Sequence, residues 1–133
     1  MTTTCKTYSG GLCLVAMLVA LPAGAADLAP DAVRKLVSGM MWTTEKMLNS
    51  TQLRSFDWKK DGTLCLRLGG TSGRCDDNGT WKIDGQRVCY QLTWWMKSQD
   101  MASACLSVAD LGNDRYVAKI PSGSTFMEFT VAP

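Results

Sequence analysis

The chain contains no histidine. That absence removes every mechanism that relies on imidazole, from Ser-His-Asp hydrolysis and Cys-His proteolysis to zinc or copper sites with histidine ligands. Charge is sparse and balanced: 14 Lys and Arg stand against 12 Asp and Glu, a formal net charge of +2. No basic cluster supplies the stripe that nucleic-acid binding needs, so a nucleic-acid partner is not expected. There is no Cys-x-x-Cys pair, which argues against a thiol redox enzyme and a four-thiolate zinc site. Nor does any apolar run reach the ~20 residues of a membrane-spanning helix, so no membrane span is expected.

The longest apolar run, residues 12–21, is about half that length. It lies between a leading segment whose only charge is Lys6 and the string Ala23-Gly24-Ala25-Ala26. This is the layout of a secretory signal peptide with Ala23-x-Ala25 as its cleavage motif. The expected division is a signal peptide over 1–25 and a single domain over 26–133. Cys13 sits inside the apolar run rather than directly behind small residues, which argues against a lipid anchor. Removing the leader takes Cys5 and Cys13 away and leaves Cys65, Cys75, Cys89 and Cys105. An even set in a small exported chain predicts two structural disulfides, and the expected location is periplasmic or secreted.

Residues 27–39 read as one short helix. Pro30 suits a first helical position, Asp31 complements the dipole, Val33, Leu36, Val37 and Met40 share a face, and Gly39 ends it. The period then changes to two. Phe56 and Trp58 alternate with polar neighbours up to an Asp61-Gly62 hairpin, and Leu64, Leu66 and Leu68 follow on one face. Asn78-Gly79 reads as a turn. Trp81 and Ile83 lead to a second hairpin at Asp84-Gly85, after which Val88, Tyr90, Leu92 and Trp94 alternate. Leu106 to Val108, Tyr116 to Ile120 and Met127 to Val131 complete a set of seven or eight strands. The predicted fold is mainly β (α+β): a short N-terminal helix, then an antiparallel meander forming a curled sheet or a small barrel.

The alternation places Cys65, Cys89 and Cys105 on the face opposite the leucines and tryptophans. Cys89 and Cys105 fall on consecutive strands, and Cys65 lies across a glycine-rich turn from Cys75. The pairings Cys65–Cys75 and Cys89–Cys105 are therefore favoured, with two other connectivities left open. The same register puts Trp58, Trp81 and Trp94 in the core and Trp95 on the polar face. A large indole there marks a contact surface with Met96 and Met101, unless the helix covers it through Val33, Leu36 and Val37.

The order Phe56-Asp57-Trp58-Lys59-Lys60-Asp61-Gly62-Thr63, Asp77-Asn78-Gly79-Thr80-Trp81-Lys82-Ile83-Asp84-Gly85, Val88-Cys89-Tyr90 and Cys105-Leu106-Ser107-Val108 resembles families of small exported proteobacterial domains of unknown function. The resemblance spans roughly residues 28–130. It implies a bacterial periplasmic or secreted protein with a lipocalin-like or related β fold, and it carries over no catalytic residue. Cys65 and Cys75 fall outside the shared pattern.

Asp76-Asp77-Asn78-Gly79 packs oxygen ligands, but Arg87 stands where an EF-hand loop needs its last glutamate, so no metal is expected. The pairs Asp57/Asp61 and Asp76/Asp77 sit in polar, turn-rich segments and read as solvated surface charge rather than as acid/base pairs. No cofactor motif is present, and the chain is not expected to be an enzyme. The leading expectation is a non-enzymatic exported interaction protein that binds an unknown protein or an envelope component. The alternatives are a lipocalin-like carrier of a small apolar ligand, or a protein like the bacterial lysozyme inhibitors, whose serine-glycine loop Ser122-Gly123-Ser124 faintly resembles.

Overall fold

Proline governs where the chain enters its helix. In a computed structural model, which describes residues 25–48 and 50–133, the helix α1 spans Pro30–Val37 and is shorter than expected. Ala29, preceding proline, is extended (φ −65°, ψ 158°) because the ring disfavours a helical conformation there. Asp27 and Leu28 instead lie along a later strand: Asp27 bridges to Ala109, and the Leu28 N–H donates to the Val108 carbonyl at 2.7 Å. Val33 and Val37 are buried. Gly39, at φ +76°, then reverses the chain and donates its N–H to the Trp58 carbonyl at 2.8 Å. The proposed signal peptide lies outside the described residues, apart from its last position.

Eight strands follow: β1 (Met40–Met47), β2 (Arg54–Trp58), β3 (Thr63–Leu68), β4 (Asp77–Asp84), β5 (Arg87–Leu92), β6 (Ser103–Gly112), β7 (Arg115–Lys119) and β8 (Thr125–Ala132). Each pairs antiparallel with the next, and β8 pairs with β1, so the meander closes into a barrel without a free edge. Both hairpin assignments hold. Gly62 (φ +85°) closes the β2–β3 turn, where Asp61 accepts the N–H and hydroxyl of Thr63. Gly85 (φ +59°) lies in the β4–β5 turn, across which Asp84 faces Arg87.

Two sequence expectations need correction. Met40 belongs to β1, not to the helix face, and β1 itself is masked in the sequence by a register shift between Thr43 and Lys46. The buried Thr44 hydroxyl donates to the Lys46 carbonyl at 3.0 Å and accepts the Lys46 N–H at 3.1 Å, satisfying the backbone at that irregularity. Asn78-Gly79 is not a turn. Both residues lie inside β4, with Gly79 opposite Leu92.

The barrel interior is occupied by aromatic side chains. Trp42 stacks on Phe129 at 3.9 Å between ring centroids and meets Trp58 at 4.7 Å, while Phe56 lies 6.0 Å from Trp58. Leu64, Leu66, Val88, Leu106, Val108, Phe126 and Met127 are buried around them. One opening is crossed by α1, which touches β1 and β5, strands on opposite sides of an eight-stranded ring. Outward positions carry polar residues, as Asn78, Thr80, Lys82 and Asp84 do along β4.

The disulfides join Cys65 to Cys75 and Cys89 to Cys105. Cys89 and Cys105 are direct cross-strand partners of β5 and β6. Cys65 points away from the axis as expected, yet it is buried. The segment that follows β3 folds back over this face: the Ser55 hydroxyl donates to the Gly70 carbonyl at 2.8 Å, and Cys75 bonds to Cys65 itself. Peptide mapping of unreduced protein should find these two linked pairs, and cross-linked fragments joining residue 65 or 75 to 89 or 105 would contradict the arrangement.

Candidate functional site

The strand that carries Trp94 and Trp95 ends sooner than its alternating pattern suggests. β5 stops at Leu92 because a single carboxylate captures the next three backbone N–H groups. Asp77 Oδ2 accepts from Trp95 at 2.8 Å and from Trp94 at 2.9 Å, and Oδ1 accepts from Thr93 at 3.3 Å and from Asn78 at 2.8 Å. Asp77 is therefore not the solvated surface charge expected; it is 2% exposed. Burial pushes its pKa up, but the N–H donors of Trp95, Trp94, Asn78 and Thr93 outweigh burial and leave it below the ordinary aspartate value.

A depressed folded-state pKa means that the carboxylate stabilises the fold above the unfolded value of about 3.9 and loses that contribution as pH falls through the lower folded value. Asp77→Asn should therefore cost about 1–3 kcal/mol at neutral pH, because a buried N–H loses a charged acceptor. The gap from wild type should close below about pH 4. Urea unfolding of both proteins across pH measures it, and a gap unchanged into acid would contradict the assignment.

The turn imposed by Asp77 reverses the expected placement of the two indoles. Trp95 is 7% exposed and packs edge-on against Phe56 at 6.0 Å, whereas Trp94 is 53% exposed. The α1 helix does not cover Trp95. Trp95 packs near Arg54, at the start of β2, whereas α1 adjoins Trp58, at its end, through Gly39. The loop from Thr93 to Ala102 closes this second opening, including a short 3-10 turn at Lys97–Gln99. It is held at its far side by the buried Tyr90 hydroxyl, which donates to the Met101 carbonyl at 2.7 Å, and by the Leu92 N–H bonded to the Ala102 carbonyl.

Between this loop and the β1–β2 connection lies an open groove of about 600 Å³. Met47, Leu48, Ser50, Arg54, Trp94 and Trp95 line one part of it, and Met96 to Gln99 line the rest. Leu48 is 43% exposed, and both Leu48 (φ +51°) and Met96 (φ +56°) hold left-handed backbone conformations. Non-glycine residues at positive φ cost energy and persist only where the surroundings hold them.

Of the contact residues expected from sequence, Trp95 and Met96 line the groove, with Trp95 at its base. Met101, in the same loop, is half-buried and is not among the lining residues. Trp94, Leu48 and Arg54 were missed. The other carboxylates considered are committed locally: Asp57 pairs with Arg67 at 3.6 Å, and Asp76 accepts the Leu68 N–H at 2.6 Å. Ser122-Gly123-Ser124 forms the β7–β8 turn, closed by the Ile120 N–H on the Ser124 carbonyl. No helix among the described residues is long and apolar enough to cross a membrane. Compared with known proteins, the chain matches no family model, no curated protein and no solved structure.

Proposed function

We propose that this chain is a non-enzymatic, exported binding protein of the periplasm or the extracellular medium, and that its contact surface is the groove bordered by Trp94, Leu48 and Met96. The observation that carries this reading is Trp94 itself. An indole more than half exposed beside an exposed leucine offers apolar area that water disfavours and a partner would cover. Two disulfides suit the oxidising compartment that this reading assumes. Polar outward positions along β4 suit a barrel surrounded by water, the reverse of the apolar-out pattern of a membrane barrel. The alternative of a lipocalin-like carrier receives less support, because Trp42, Phe56, Trp58 and Phe129 occupy the space where a carrier would hold its ligand.

The test is affinity purification from a native envelope extract with wild type and Trp94→Ala side by side. A partner recovered by wild type and lost with the variant, at unchanged stability, is the expected result. Partners recovered equally by both would place the contact surface elsewhere.

A further inference from the structure

The groove holds cations and no carboxylate. Arg54 and Lys97 line it, and none of its lining residues is Asp or Glu. The two ion pairs among the described residues, Arg67–Asp57 and Arg115–Glu128, involve neither of these cations. The nearby acids are not among its lining residues. Asp77 is saturated by backbone N–H groups, Asp76 accepts from Leu68, and Asp100, next to the 3-10 turn, is not among the lining residues.

Arg54 is the more constrained cation. Its guanidinium carbon stands 5.5 Å from the Trp95 ring centroid, and its Nε is buried without a hydrogen-bond partner. A buried, unpartnered donor on a charged group carries a desolvation cost that a neighbouring anion offsets. The same burial draws the Arg54 pKa below the ordinary guanidinium value.

We propose that the groove receives an extended acidic segment of a partner protein, with a carboxylate paired to Arg54 and an adjacent apolar side chain laid against Trp94, Leu48 and Met96. This rests on the groove being the contact surface and adds the chemistry of what it contacts. The groove, at about 600 Å³, is sized for a few side chains rather than a broad face. Ser50, Ser98 and Gln99 offer uncharged hydrogen-bonding groups along it for a peptide backbone.

The experiment is fluorescence anisotropy of the intact, disulfide-bonded protein against two matched panels of labelled peptides. One panel places Glu or Asp beside Phe, Leu or Trp in a Gly-Ser background; the other carries Gln or Asn in place of the acid. Acidic members should bind, their amide counterparts should bind about tenfold more weakly or worse, and added salt should weaken the acidic set. Trp94→Ala should abolish binding, and Arg54→Gln should erase the difference between panels. Because Arg54 also packs on Trp95, the change made in the peptide carries the test if Arg54→Gln loosens the fold. Equal, Trp94-dependent binding of both panels would overturn the acidic assignment and leave the groove as contact surface. Failure of both panels, with a Trp94-dependent partner still recovered from the extract, would overturn this inference alone. Failure of both with no such partner would overturn the groove as well. A Trp94-dependent dimer in sedimentation would assign the groove to a second copy and overturn the peptide.

Discussion

Gly79→Ala is expected to destabilise the protein by about 3 kcal/mol or more, far beyond an ordinary surface change. Gly79 lies within β4, and a Cβ built there would collide with the Gln91 carbonyl oxygen, come within 2.8 Å of the Gln91 carbonyl carbon and reach 3.1 Å from the Leu92 Cα. Those atoms are the backbone of the paired strand, so no rotamer change relieves the clash; β4 and β5 would have to separate. The damage would reach Asp77, two residues away, and through it the loop that carries both tryptophans. Lys82→Ala, on an exposed position of the same strand, should stay within about 0.5 kcal/mol. Urea unfolding compares the two, and similar midpoints with similar slopes would mean that β4 does not approach β5 as described.

Trp95→Ser should cost about 3–5 kcal/mol, the range for removing a packed tryptophan. The lost ring leaves Phe56 without its edge-on neighbour and Arg54 without the face it covers. Trp94→Ala should change stability by no more than about 0.5 kcal/mol, since its ring is more than half exposed and its indole N–H makes one long bond, 3.2 Å, to the Asp76 carbonyl. Thermal or urea unfolding of the two variants separates the residue that builds the opening from the one that faces outward. A reversed order would restore the outward placement of Trp95.

Much of the barrel was legible because hairpin chemistry and alternation are local. Asp61-Gly62 and Asp84-Gly85 mark turns, and Phe56/Trp58, Leu64/Leu66 and Val88/Tyr90/Leu92 lie buried as their period of two requires. Closure was less legible, because β1 has no clean alternation across its irregularity at Thr43 to Lys46. Asn78-Gly79 has the composition of a turn, yet glycine serves there for close strand approach, a need that arises only in three dimensions.

The two indoles of the candidate site were misread for one reason. The alternation of β5 was carried two residues too far, which exchanged Trp94 and Trp95. A signal did exist: the hairpin register that pairs Asp84 with Arg87 and Gly79 with Leu92 sets residue 77 opposite residue 94 when extended. An aspartate at that position is placed to accept N–H groups where the partner strand turns away. Arg54 had no such signal, because its contact with Trp95 joins segments about forty residues apart.

The groove can be tested most directly by placing a photo-activatable benzophenone side chain at position 94, and separately at position 82, in cells that produce the protein. Irradiation should give a discrete cross-linked species from position 94 and none from position 82, since only the former borders the groove. Cross-linking from position 82 alone, or from neither position, would contradict the assignment of this groove as the surface through which the protein acts.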